Sequence, residues 1–172
     1  NELEQGLTEQ IEGEVRFDLY SKVLYSTDAS LYQIEPIGVV IPKHKADVIK
    51  TIQIAYERNV PILPRGGGTS LAGQTVGQAI VIDMSKYMDQ IIEVNVEEQW
   101  ARVQPGVVLD ELNHHLKPYN LMFAPDVATS SRANIGVMIG NNSAGAHSIF
   151  FGKTFDHVIS LVLLLSNGEE IT

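Results

Sequence analysis

Apolar residues recur along this chain with two different periods, and the changes of period divide it into elements. Residues 38–41 (Gly-Val-Val-Ile) are a continuous run closed by Pro42, the pattern of a buried strand. Over residues 43–59 the period lengthens, and Val48, Ile49, Ile52, Ala55 and Tyr56 fall on one face of an amphipathic helix. Pro61-Ile62-Leu63-Pro64 then reads as a second strand, so the three elements predict a β-α-β unit with parallel strands and a right-handed crossover. Residues 79–83, 90–95 and 100–104 are three more strands separated by turns, ended by Pro105-Gly106. A second helix covers 107–117, with Val108, Leu109, Leu112 and Leu116 inward and Pro118 as its stop. Residues 158–165 are apolar almost throughout and predict a strand buried on both faces. Asn167-Gly168 follows, the dipeptide of a hairpin. The second strand of that hairpin has barely begun at Thr172, so the sequence reads as a fragment of something longer. The first twenty-odd residues mix charge with weak apolar spacing and predict a helix, then a turn at 26–30.

Chemistry concentrates where the second predicted strand ends. Pro64-Arg65-Gly66-Gly67-Gly68-Thr69-Ser70 has three residues without Cβ, two hydroxyls and one permanent cation. Such a turn reaches positive φ and lets its N–H groups converge on one anion. Gly67, in the middle, is where a side chain should be least tolerated. The loop leaves the carboxyl end of a strand, the place where ligands sit in open α/β sheets. Two phosphate-binding fingerprints fit poorly. A doubly wound dinucleotide fold wants a helix after the glycines, but residues 77–83 read as a strand. A P-loop wants lysine where Gln74 stands. A second stretch, residues 125–145, has the same small, polar character, with Ser130 or Ser131 as the expected cap of a short apolar helix. Two such clusters point to a bound dinucleotide.

Composition narrows the partners. At 172 residues the chain is about one domain, and 44% hydrophobic with 19% charged residues is ordinary for a globular protein. A net charge of −9 with no basic patch argues against nucleic acid. There is no cysteine, so disulfides and thiolate metal or iron–sulfur ligation within the chain are excluded, and no metal site is expected. His114 and His115 sit in the second helix as solvated residues, and Trp100 reads as a core or edge aromatic. No apolar run reaches the ~20 residues of a membrane span. With no leader pattern, the expectation is a cytoplasmic protein, peripheral to membranes only through partners.

The residues that carry a family resemblance are Pro64-Arg-Gly-Gly-Gly-Thr-Ser-Leu-Ala-Gly-Gln74, Pro125-Asp126, Ile135-Gly136, Asn141-Asn142-Ser143-Ala144-Gly145 and Gly152-Lys-Thr-x-Asp156. In this order and spacing they resemble the flavin domain of FAD-linked oxidases, the vanillyl-alcohol-oxidase or p-cresol-methylhydroxylase-type superfamily. Within it the chain is similar to glycolate oxidase flavin subunits, D-lactate dehydrogenases and D-2-hydroxyglutarate dehydrogenases, over residues 27–172. The resemblance implies an α+β, two-lobed flavin-binding domain. One lobe is an N-terminal β-α-β lobe and the other a mixed or antiparallel sheet lobe, with FAD between them and the C-terminal part truncated. Residues 1–26 would be a helical extension, and 27–172 an incomplete FAD-binding domain.

By the same resemblance, Pro64, Arg65, Gly66, Gly67, Gly68, Thr69 and Ser70 hold the pyrophosphate, with Gly73 and Gln74 nearby. Pro125, Asp126, Ala128, Thr129 and Ser130 line the cofactor from the second cluster. So do Asn134, Ile135 and Gly136, and Asn141, Asn142, Ser143, Ala144 and Gly145. FAD should be noncovalent, because the glycine loop has no histidine and the chain has no cysteine. Val137 stands where many relatives have a second glycine, which changes backbone approach there. His147 is expected to be structural. The implied activity is hydride transfer from a small D-2-hydroxy acid to the flavin. A substrate domain and an iron–sulfur region or subunit would lie outside this sequence. No catalytic base or substrate clamp is assigned among these residues. The alternatives are a nicotinamide-using branch of the superfamily, such as the reductase of peptidoglycan precursor synthesis or the flavin subunits of molybdenum hydroxylases, and a non-redox nucleotide-binding module.

Overall fold

The computed structural model describes residues 2–172. Met88–Ser160 forms one compact unit, and the rest of the described chain forms another.

The larger unit is built on a four-stranded sheet. Strand β1 (Glu14–Arg16) follows helix α1 (Glu2–Gln10), and helix α2 (Leu19–Leu24) leads to β2 (Gly38–Ile41). Helix α3 (Lys45–Glu57) connects β2 to β3 (Ile62–Arg65), and β4 (Ile80–Asp83) closes the set. The sheet order is β1-β2-β4-β3. β4 pairs in parallel with both β2 and β3, and β1 joins β2 antiparallel. The predicted parallel β-α-β unit is therefore present, but β4 is inserted between its two strands. β2 and β4 are buried throughout, which explains the apolar runs 38–41 and 80–82, and their one buried charge, Asp83 at the end of β4, is hydrogen-bonded by Tyr25 Oη. Helix α3 is capped by His44, whose side chain accepts from the Asp47 N–H, and it buries Val48, Ile52, Ile54 and Ala55.

One edge of this sheet is pinned by charge. The Glu14 carboxylate accepts from Tyr87 Oη at 2.5 Å, from Lys86 Nζ at 2.5 Å and from Arg16. These bonds, led by that of Lys86, hold the carboxyl down from 4.5 to about 2 against the opposing effect of burial. A carboxyl whose pKa falls on folding stabilises the fold above its unfolded value, and loses that contribution as pH drops through the folded one. Glu14→Gln should thus cost about 1 kcal/mol near neutral pH, discounted for partial solvent screening. In thermal melts the gap between variant and parent should close as the pH falls from 4.5 towards 2.

The second unit pairs β5 (Ile91–Asn95) with β6 (Trp100–Val103) as an antiparallel hairpin. It packs helix α4 (Leu109–Leu116) and helix α5 (Ile135–Asn141) into one core through Val107, Leu109, Leu112, Leu116, Ile135 and Met138. Helix α6 (Ser148–Phe151) follows. Val108, expected inward, is only half-buried, because it sits at the helix start and bridges to Asn134. The α+β class expected from the sequence holds.

Residues 158–165 correct the sequence reading. Only Leu163–Leu164 is strand (β7), paired antiparallel with β8 (Glu170–Ile171) across the Asn167-Gly168 turn. Ile159 is 78% exposed and Val162 54%. Apolar character predicts burial only where strands are available on both sides, and here β8 is the single partner.

Candidate functional site

The glycine loop follows directly from strand β3. Pro64 and Arg65 are the last strand residues, in register with Ile82 and Asp83 of β4. Positive φ occurs at Gly68 (66°) and Gly73 (77°), not at Gly67. The backbone strain of an added side chain therefore falls on Gly68 rather than on Gly67. Gly68 also receives a close neighbour, since a Cβ built there would lie 2.7 Å from Arg65 Nη2. Its carbonyl accepts from the Ala29 N–H at 3.0 Å. Ser70 Oγ donates to Gln74 Oε1 and accepts from the Gln74 N–H, so both side chains shape the turn itself.

Sequence reasoning missed the residues that surround this loop. Asp28 accepts from the Ser30 N–H at 2.8 Å and from Thr75 Oγ1 at 3.0 Å. Burial raises the Asp28 carboxyl, but those hydrogen bonds outweigh it and leave it below its ordinary value. Tyr25 Oη donates to Asp83 at 2.6 Å. Burial, and then that bond, push the Tyr25 phenol well above its usual range. The legible signal was the predicted turn at 26–30, with Asp28 and Ser30 spaced for an Asx turn.

In the second unit the small polar residues divide by role. Asn134 occupies the start of α5 and its Nδ2 donates to the Gly106 carbonyl at 2.6 Å. Neither Ser130 nor Ser131 caps that helix. The N–H groups of Ile135 and Gly136 are already used by the carbonyls of Val107 and Pro105, both at 2.9 Å. Gly136 is required by packing, as a Cβ there would lie 2.6 Å from Pro105 Cβ. Asn142 is left-handed (φ 50°) at the helix end, and its Oδ1 accepts from the Phe155 N–H at 3.0 Å. Ser143 donates to Asn141, and its carbonyl accepts from the Thr154 N–H at 3.0 Å and from Thr154 Oγ1 at 2.8 Å. Asp156 accepts from the Lys153 N–H at 2.8 Å, beside the positive φ of Gly152. The Gly152-Lys-Thr-x-Asp156 motif is thus a brace under the Asn-Asn-Ser turn.

Asp126 performs the same task on the far side of that turn. It pairs with His147 Nδ1 and accepts from the His147 N–H at 3.2 Å. The His147 bonds, chiefly that of the ring, hold the Asp126 carboxyl below its ordinary value. Gly145 packs onto it so tightly that a Cβ would fall 2.1 Å from Asp126 Oδ1 and 2.3 Å from its carbonyl oxygen. Pro125, Asp126 and Ser130 also line a cleft of about 240 Å3, together with Asp110 and Asn113.

Main-chain donors remain open to a ligand. Among the described residues, no group of the protein accepts from the N–H of Thr69 or Ser70 in the first unit, or of Ala128, Thr129 or Ala144 in the second. Open donors on a turn with left-handed glycines fit a phosphate-bearing cofactor, as do small side chains that let it approach. No group of three or more His, Asp or Glu side chains among the described residues could hold a metal ion, and no helix is long and apolar enough to cross a membrane.

Comparison with known proteins agrees with this geometry. The chain is 42% identical to D-2-hydroxyglutarate dehydrogenase of Escherichia coli (strain K12), over 96% of this chain and 16% of that protein. It is 34% identical to glycolate oxidase subunit GlcD of Bacillus subtilis (strain 168), over 94% of this chain and 35% of the relative. It therefore spans only a minor part of the length of these relatives. Among solved structures, alkyldihydroxyacetonephosphate synthase matches with a TM-score of 0.88 at 22% identity, over 99% of this chain and 37% of that one. p-Cresol methylhydroxylase matches with a TM-score of 0.81 at 19% identity, over 99% and 34%. At such identity the likeness establishes the fold. The FAD binding domain model matches residues 36–172, and with that match over most of its length the chain belongs to the FAD binding domain family.

Proposed function

We propose that this chain is the FAD-holding part of a flavin-dependent dehydrogenase that oxidises a small D-2-hydroxy acid. D-2-hydroxyglutarate is favoured over glycolate or D-lactate by the higher identity to the first of those relatives. The observation that carries the reading is the pair of open N–H donors at Thr69 and Ser70, directly after the left-handed Gly68. Thr69 and Ser70 would meet the pyrophosphate with main-chain dipoles. Ala128, Thr129 and Ala144 would offer donors to the rest of the cofactor. FAD, when bound, supplies the hydride acceptor for the hydroxyl-bearing carbon of the substrate. The protein contributes binding and orientation, and the substrate-contacting groups lie in parts of the longer protein beyond these residues.

The residues of this chain hold the cofactor noncovalently. No histidine stands in the glycine loop, no cysteine exists in the chain, and the His147 ring is paired with Asp126. Acid precipitation of the loaded full-length protein should return all the flavin to the supernatant. An iron–sulfur region or subunit as next electron acceptor belongs to the same reading, as does a cytoplasmic location, peripheral to membranes only through partners.

The test is anaerobic addition of D-2-hydroxyglutarate, glycolate and D-lactate to the full-length protein loaded with FAD. Bleaching of the flavin band by one acid supports the proposal, and the acid that does so fixes the substrate. A band bleached only by a nicotinamide cofactor moves the protein to another branch of the superfamily.

A further inference from the structure

The glycine loop carries one cation, Arg65, and its sequence position suggests a phosphate ligand. Its side chain is engaged elsewhere. Nη1 donates to the carbonyl of Thr75 at 3.0 Å and of Tyr25 at 3.3 Å, while Nη2 donates to the carbonyl of Thr27 at 2.8 Å. The guanidinium carbon lies 5.2 Å from the centroid of the Tyr25 ring. Gly68, with positive φ, lies directly against Nη2. The planar fork thus gathers three main-chain carbonyls from two separate segments, residues 25–27 and residue 75, beneath the turn that starts at Gly66. Asp28 ties the same two segments together again through Thr75 Oγ1.

We infer that Arg65 is a positioning residue, which fixes the conformation of the phosphate turn by bridging the carbonyls of Tyr25, Thr27 and Thr75, and that the cofactor pyrophosphate is met by main-chain N–H groups rather than by this cation. The inference rests on the flavin reading above for its second half only. The chemistry requires arginine. Three acceptors arranged around a planar fork match guanidinium geometry, whereas a lysine ammonium is a single point donor on a flexible stem. Burial lowers the Arg65 pKa, partly countered by Asp83, Tyr25 and Asp28, which agrees with a side chain directed inwards.

The experiment uses the full-length protein with Arg65→Ala and Arg65→Lys. In the apoprotein, amide hydrogen exchange of residues 25–30 and 66–75 should accelerate in both variants, while that of residues 38–41 stays as in the parent. FAD titration should then show a loss of affinity of about tenfold or more, equal at low and high salt, with lysine giving no rescue. A loss that shrinks at high salt and is rescued by lysine, with unchanged exchange of the loop, would overturn the inference in favour of a direct charge contact. If the parent itself takes up no FAD, the flavin reading fails. The exchange measurement then still decides whether Arg65 sets the loop.

Discussion

Gly68→Val should abolish FAD uptake by the full-length protein, while Gly67→Val should leave a measurable fraction of it. The two glycines are neighbours of the same type, and the difference lies in the backbone. Gly68 has φ of 66° and Gly67 is not in the positive region. Valine at positive φ carries a strain of ~1–3 kcal/mol. In addition, the Cβ would sit 2.7 Å from Arg65 Nη2, and that group is not free to withdraw, because it is bonded to the Thr27 carbonyl. The turn must open or the arginine must release its carbonyls. Either outcome displaces the Thr69 and Ser70 N–H groups, and an affinity loss beyond about a hundredfold follows. Flavin absorbance of the purified variants decides this. Equal flavin content in Gly68→Val and the parent would refute the placement of the pyrophosphate on this turn.

Gly145→Ala should be the most damaging single-methyl change in the second unit. Its Cβ would overlap both the side chain and the main chain of Asp126, at 2.1 and 2.3 Å. Main chain cannot rotate away, so the 145–147 segment must lift. The His147–Asp126 pair and the Ser148 Oγ acceptor of the Gly145 N–H would then be lost. Overpacking of this kind costs ~1–3 kcal/mol, and the displaced Ala144 donor should lower FAD affinity as well. Gly140→Ala is the control. It lies in α5 with open space around its Cβ position, and replacing a helical glycine by alanine should stabilise by ~0.5–1 kcal/mol. Thermal melts and FAD titrations of the two variants should move in opposite directions for stability, and only Gly145→Ala should move for binding. A neutral Gly145→Ala would show that the turn is not packed as described.

Much of the scaffold was legible because burial writes itself into period and composition. Residues 38–41 and 80–82 are apolar because both faces of β2 and β4 are covered, and α3 repeats its apolar positions every three or four residues because one face is. The order of strands was not legible. A β-α-β pattern fixes direction, but nothing in residues 66–79 announces that the chain returns to insert β4 between β2 and β3. Residues 158–165 misled for a related reason, since apolarity states a preference without naming a partner. At the candidate site, the glycines marked the turn correctly, but the roles of its polar residues could not be read locally. Arg65 and Asn142 look like ligand groups in sequence, and their side chains also satisfy main chain that only folding brings near. Two of the open donors, at Ala128 and Ala144, belong to residues whose side chains carry little signal.

Binding of FAD through open main-chain donors is tested by titrating the full-length apoprotein with FAD, followed by flavin fluorescence, with excess ATP added at saturation. A single FAD should be taken up per chain, and ATP should not displace it. An apoprotein that takes up no FAD but binds ATP would contradict the flavin reading, and would mark the glycine turn as the loop of a nucleotide-binding module without redox chemistry.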